Sequence, residues 1–138
     1  MVQNNEQFIE GFNERTRKTF TGKIGQYIEK AEDDKLLMIL DITPDHYNGL
    51  GIVHGGVIST LIDDAMGAVA MLKSRYVVTI NLDVRFLAPF KEGKIYARSE
   101  VVHQSRSMIT TECKLYDEEG NLGATGTGTF KIINPKTM

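Results

Sequence analysis

The chain has 138 residues, a length that suits one domain able to bury about 68% of its unfolded surface. Sixteen basic and eighteen acidic residues leave a net charge of -2, so no overall field draws it to nucleic acid or to an anionic membrane. The single cysteine, Cys113, excludes an internal disulfide, suits a reducing cytoplasm, and without a Cys/His cluster gives no basis for structural zinc.

The charged start, Met1 to Lys18, has no apolar signal core. Phe8, Ile9, Phe12 and Phe20 recur at helical spacing among charges, which predicts an amphipathic helix over about 4–20 that packs as a lid. Lys23 to Ala31 and Leu36 to Thr43 read as two strands joined by a polar turn at Glu32-Asp33-Asp34-Lys35, with Pro44 closing the second. A loop from Asp45 to Val53 follows, then a helix from about His54 to Leu72. This is the most apolar stretch, but His54, Asp63, Asp64 and its glycines make it a poor membrane span. Four strand-like runs complete the chain: Tyr76 to Leu87, Lys94 to Gln104, Met108 to Tyr116 and Leu122 to Ile133. In the first, Val78, Ile80, Leu82, Val84 and Phe86 alternate with polar residues, predicting one buried face. Gly126 and Gly128 in the last run mark a bend or a close approach. A helix too apolar for solvent, followed by a meander of antiparallel strands, is best satisfied by a sheet wrapped around that helix.

The run Asn48 to Asp64 carries the chemistry. A glycine-rich loop opens directly into a helix whose residues Val57, Ile58, Leu61, Ile62, Ala65, Met66, Val69 and Ala70 are apolar nearly all round. An ionised carboxylate in such surroundings costs several kcal/mol, roughly, unless it is paired or hydrogen-bonded. Asp63 or Asp64 is therefore expected to face a cleft. The amides of Gly55 and Gly56 fall at the helix N-terminus, where free N–H groups and the helix dipole polarise a carbonyl. No phosphate loop of the P-loop type and no dinucleotide fingerprint is present, which argues against ATP or NAD.

Asn48, the triplet His54-Gly55-Gly56, Asp63 nine residues after that histidine, and the strand Val77 to Pro89 together resemble the hotdog-fold thioesterases. The likeness is narrowest to the phenylacetate-degradation (PaaI-like) branch of the 4-hydroxybenzoyl-CoA thioesterase superfamily, and it covers roughly Asp45 to Ile133. It implies an α+β hotdog fold, in a single domain over 1–138, and hydrolysis of a medium-chain or aryl-acyl-CoA to free acid and coenzyme A. No metal or separate cofactor is implied, coenzyme A being part of the substrate. By the same resemblance Gly55 supplies the polarising N–H and Asp63 attacks the carbonyl or activates water. Asn48 orients the carbonyl or the water, and Thr79 helps to position water. Asn48-Gly49 is equally a common turn dipeptide, and threonine is a good strand former, so structural roles stand beside these. His54 is expected to hold the loop by a ring-to-backbone bond. Asp64, about 100° further round the helix, is given a hydrogen-bonding or surface role.

Eight residues of helix separate Gly55 from Asp63, about 12 Å, too far for both to touch one thioester from a single subunit. A two-fold dimer solves this by placing Gly55 and Asn48 of one chain opposite Asp63 and Thr79 of the other. The resemblance further implies pairing of dimers into tetramers. Arg106, Arg85 and Lys91 are the candidates for the coenzyme A phosphates. Two other functions fit the same fold. One is a catalytically silent acyl-CoA-binding module, against which the presence of both Asp63 and Gly55 argues. The other is a hydratase or dehydratase, which would need a histidine paired with an acid around His46, His54 or His103. A cytoplasmic enzyme with no nucleic acid or membrane partner is the resulting expectation.

Overall fold

The computed structural model of the protein describes residues 5–74 and 76–137. Six strands, β1 (Tyr27–Glu32), β2 (Lys35–Asp41), β3 (Val77–Phe86), β4 (Lys94–Gln104), β5 (Met108–Tyr116) and β6 (Leu122–Ile132), form one antiparallel sheet in the order β1-β2-β4-β5-β6-β3. The sheet packs around the long helix α3 (Gly55–Met71). Nine residues of α3, from Val57 to Ala70, are buried, and Ser99 on β4 donates to the Ala65 carbonyl at 2.8 Å. Two glycines of β6 make this packing close. A Cβ on Gly126 would lie 2.4 Å from Ile62 Cγ2, and one on Gly128 would lie 2.9 Å from Met66 Cε. The helix rests on β6 only because those side chains are missing. The last four strands are not the simple meander expected: β4, β5 and β6 follow one another, but β3 pairs with β6 at the far edge.

The predicted N-terminal helix over 4–20 is two helices, α1 (Asn5–Thr16) and α2 (Phe20–Ile24); its expected first residue, Asn4, lies outside the described residues. Thr16 Oγ1 bonds back to the Phe12 carbonyl at 2.9 Å, and the chain turns before Phe20, which is 63% exposed rather than part of the apolar face. Lys23 and Ile24, expected to open the first strand, belong to α2, which Gly25 ends in the left-handed region at φ 106°. α1 lies along β1 and covers that edge of the sheet. Asn13 exchanges two hydrogen bonds with the Ile28 backbone, at 2.9 and 3.0 Å, and Asn5 donates to the Ala31 carbonyl. Covering an edge in this way satisfies strand groups that would otherwise pair with another chain.

The opposite edge, β3, is bare. Its residues keep the expected faces only from Leu82 onward, because an extra residue, Ile80, bulges between Thr79 and Asn81 and puts Thr79 rather than Val78 on the helix side. The bulge brings Thr79, Leu82, Val84 and Phe86 to the helix side of the sheet, opposite Phe130, Gly128, Gly126 and Ala124. Asn81 Oδ1 accepts the Thr129 N–H at 3.1 Å across the irregular step. The expected buried face is not found within this chain: Ile80 is 52% and Phe86 59% exposed, because β3 has a neighbour on one side only.

Asp64 ties α2 to α3. Its Oδ2 accepts from Thr21 Oγ1 and from Gln26 Nε2, both at 2.7 Å. Burial pushes its carboxyl above the ordinary aspartate range, the nearby Asp63 charge adds to this, and the two hydrogen bonds pull it back down. A carboxyl that holds its proton more tightly when folded loses native stability as pH rises from the ordinary aspartate value through its folded value. Asp64→Asn keeps the acceptor for Thr21 and removes that loss. Its advantage in urea-denaturation stability over the native chain should be largest near neutral pH and shrink toward the ordinary aspartate value. Gly126→Ala, which forces a methyl onto branched Ile62, should destabilise the fold by about 1–3 kcal/mol, read as a lower urea midpoint at unchanged slope.

Candidate active site

The entry to α3 is held by the loop before it. His46 is buried in a short 3-10 turn (Pro44–His46) and is neutral: its Nδ1 accepts the Thr43 N–H at 3.0 Å and its Nε2–H donates to the Ile24 carbonyl at 2.6 Å. The His46 carbonyl accepts the His54 N–H at 2.8 Å, Val53 N–H donates to Phe90, and the Tyr47 hydroxyl donates to the Lys91 carbonyl at 2.7 Å. Within the loop, Asn48 Oδ1 accepts the N–H groups of Leu50 at 2.9 Å and Ile52 at 3.3 Å. That fixes the amide orientation and leaves Asn48 Nδ2, with its two donors, unbonded among the described residues.

His54 caps the helix. Its Nδ1 accepts the Gly56 N–H at 2.7 Å, so the neutral ring carries its proton on Nε2. A Cβ at Gly56 would press to 3.0 Å from that ring nitrogen, which is why glycine stands there. The N–H groups of Val57 and Ile58 return to the His54 carbonyl. Gly55 is then the one residue of the first turn whose N–H meets no acceptor among the described residues. Phe86 borders it, since a Cβ on Gly55 would stand 3.4 Å from the Phe86 ring.

Two turns further on, Asp63 lies half-buried on the less enclosed side of α3, beside Ser59, Thr60 and Gly67. Thr79 Oγ1 donates to Asp63 Oδ1 at 2.8 Å, which leaves Oδ2 as the oxygen with free lone pairs. The β3 bulge makes this contact, by setting Thr79 on the helix side together with Leu82 and Val84. Asp64, by contrast, points into the α2 side and spends its carboxylate on Thr21 and Gln26.

The structure therefore joins Asp63 with Thr79, and His54 with Gly55 beside the Asn48 loop, in two separate groups on one chain. It does not bring together the three cations. Arg85 lies level with Thr125, and Ser107, beside Arg106, bonds to Ile132. Seven residues of β6 separate those levels, about 23 Å. Lys91, tied through its carbonyl to Tyr47, is on the Asn48 side. Burial pushes the Cys113 thiol up and away from the reactive thiolate form. Phe86 beside Gly55 and Gln26 beneath Asp64 are site neighbours that the sequence did not single out. Among the described residues no three His, Cys, Asp or Glu side chains converge as a metal site. No helix among them is long and apolar enough to cross a membrane.

Comparison with known proteins places this geometry in a family. A family model described as the thioesterase superfamily matches residues 50–124, which include His54, Gly55, Asp63 and Thr79. A Saccharolobus solfataricus protein named as a candidate esterase is 31% identical over 90 residues, 64% of each chain, so the match spans less than two thirds of that relative's length. Acyl-coenzyme A thioesterase 13 of Homo sapiens is 25% identical over 139 residues, 97% of this chain and 98% of its own. The solved structure of PaaI from the E. coli phenylacetic acid degradation operon superimposes with a TM-score of 0.86 at 17% identity, over 96% of this chain and 97% of that one. The sheet and its central helix are the expected α+β hotdog fold, and the chain belongs to the thioesterase superfamily.

Proposed function

We propose that the protein is an acyl-CoA thioesterase that releases free acid and coenzyme A from a medium-chain or aryl-acyl-CoA, at sites shared between two protomers. The observation that carries this is the division of one helix into an open Gly55 N–H and a Thr79-held Asp63, about 12 Å apart along its axis. Each is half of a thioester-cleaving apparatus, and neither half reaches the other's substrate atom within the chain.

The bare β3 edge supports the pairing. A strand with open backbone groups and exposed Ile80, Leu82 and Phe86 invites an antiparallel copy of itself. About a two-fold axis there, Gly55 and Asn48 of one protomer meet Asp63 and Thr79 of the other, giving two equivalent sites. The same operation carries Arg106 of one chain toward Arg85 and Lys91 of the other, which supports their joint role on the coenzyme A phosphates. Association of two such dimers into a tetramer rests on the family likeness.

In each site the Gly55 N–H donates to the thioester oxygen and stabilises the negative charge that develops on it, aided by the helix dipole. Asn48 Nδ2 supplies a second donor. Asp63 Oδ2 attacks the carbonyl carbon directly or takes a proton from water that does so. Either way the C–S bond breaks, the thiolate leaves and is protonated as coenzyme A, and water supplies the oxygen that completes the acid. A hydratase reading gains nothing from His46 or His54, since both His46 ring nitrogens and His54 Nδ1 bond to backbone groups rather than to an acid, and His103 lies exposed on β4.

Asp63→Asn should lower kcat for acyl-CoA hydrolysis at least ~10²-fold while leaving the fold intact, and Asp64→Asn should cost far less. Sedimentation should find a dimer or larger species at assay concentrations; a fully active monomer would overturn the shared site. Mixed dimers of Asp63→Asn chains with Asn48→Ala chains should regain turnover, because one of their two sites is whole. Verified mixed dimers without recovery would contradict the reading.

A further inference from the structure

A cavity of about 540 Å³ lies at the end of α3 beyond Asp63, walled by Phe8, Met71, Leu72 and Tyr76 with Arg15 at its border. Its distance from the reacting pair follows from two elements independently. Asp63 to Met71 is eight residues of helix, about 12 Å, and Thr79 to Tyr76 is three residues of nearly extended chain, about 10 Å. Phe8, Met71, Leu72 and the Tyr76 ring give the body of an acyl chain an apolar side to lie on, and Arg15, Lys73 and Ser74 make up the polar side. Its cations differ in their freedom. Lys73, at the same rim, is engaged with Asp34, whereas Arg15 forms no ion pair among the described residues.

Arg15 is also set by its own helix. Long side chains on a helix lean toward its N-terminus, over the residue four back, and here that residue is Gly11. A Cβ on Gly11 would stand 3.1 Å from Arg15 Nη1, so the guanidinium lies back across the bare glycine toward Phe8. Glycine within a helix is unfavourable against alanine, and at this position its lack of a side chain leaves the path of the guanidinium clear.

We propose that this cavity receives the far end of the acyl group, and that Arg15 there selects acyl chains ending in a carboxylate. This rests on the thioesterase reading above. At 10–12 Å from Asp63 the fitting substrates are ω-carboxyacyl-CoA thioesters of roughly eight to ten carbons. A carboxylate taken out of water into the cavity is costly without a partner, and a guanidinium offers it two parallel charge-assisted hydrogen bonds. A methyl-ended chain of equal length leaves that guanidinium unused.

The test compares the mono-CoA thioester of decanedioic acid with decanoyl-CoA on the 138-residue chain. The native chain should favour the diacid thioester by at least about tenfold in kcat/KM, mainly through KM, as expected for a charged hydrogen bond gained in binding. Arg15→Leu should erase that preference, Gly11→Leu should weaken it by displacing the guanidinium, and Lys18→Met, on the exposed turn after α1, should leave the ratio where it is. Equal kcat/KM for the two substrates, or a preference that survives Arg15→Leu, would overturn the proposal while leaving the thioesterase reading standing. A rise in KM of equal size for both substrates in Arg15→Leu would also overturn it, since the guanidinium would then serve the coenzyme A end. Hydrolysis of an aryl-acyl-CoA but of neither ten-carbon thioester would overturn this proposal alone, whereas a native chain that hydrolyses no acyl-CoA, aryl or aliphatic, would defeat the thioesterase reading and this proposal with it.

Discussion

The rise of one helix governs the rest of the structure. α3 is continuous from Gly55 to Met71, and a continuous helix fixes the spacing of everything it carries. Its first turn offers a single open N–H because His54 takes the next one. Its third turn offers a carboxylate oxygen because Thr79 takes the other. Neither group can slide toward the other without unwinding a helix whose apolar side chains fill the core. Completion of the proposed site therefore falls to a second copy of the chain, and the sheet is arranged accordingly, with one edge closed by α1 and the other open at β3.

That asymmetry between edges comes from small polar contacts. Asn5 and Asn13 occupy the outer groups of β1 as another strand would. Among the described residues no comparable helix lies along β3, whose Val78, Ile80, Leu82 and Phe86 are exposed despite their strand-like alternation. The bulge at Ile80 adds to the effect. Without the extra residue, Thr79 would share a face with Asn81, Asp83 and Arg85, on the side of the sheet away from α3. With it, Thr79 meets Asp63 while Leu82, Val84 and Phe86 still face the helix. Irregular strands beside a reactive group are a recurring device for aiming one side chain.

Much of this was legible in the residues. β4 and β5 run over the very residues their alternation predicts, and α3 is one residue shorter at each end than predicted. Those elements are set by periodic burial, which a sequence displays directly. The stretch from Thr16 to Gln26 was misread because its outcome depends on distant partners: Thr16 turns back on Phe12, Gly25 ends α2, and Thr21 and Gln26 reach across to Asp64. The break in helical pattern at Asp63 and the glycines at Gly55 and Gly56 were visible because each departs from its neighbours. The Thr79 contact was not derivable from alternation, since alternation assumes no bulge. The separation of Asp63 from Asp64 followed from the 100° step between adjacent helical residues, and the two carboxylates do take different partners.

The most direct test of the shared site is a crystal structure with an acyl-CoA analogue whose thioester sulfur is separated from the carbonyl by a methylene group, so that it cannot be cleaved. The account predicts the analogue's carbonyl oxygen within hydrogen-bond distance of the Gly55 N–H of one protomer, and its carbonyl carbon facing Asp63 Oδ2 of the other. A carbonyl bound between Gly55 and Asp63 of the same chain, or held away from both, would contradict it.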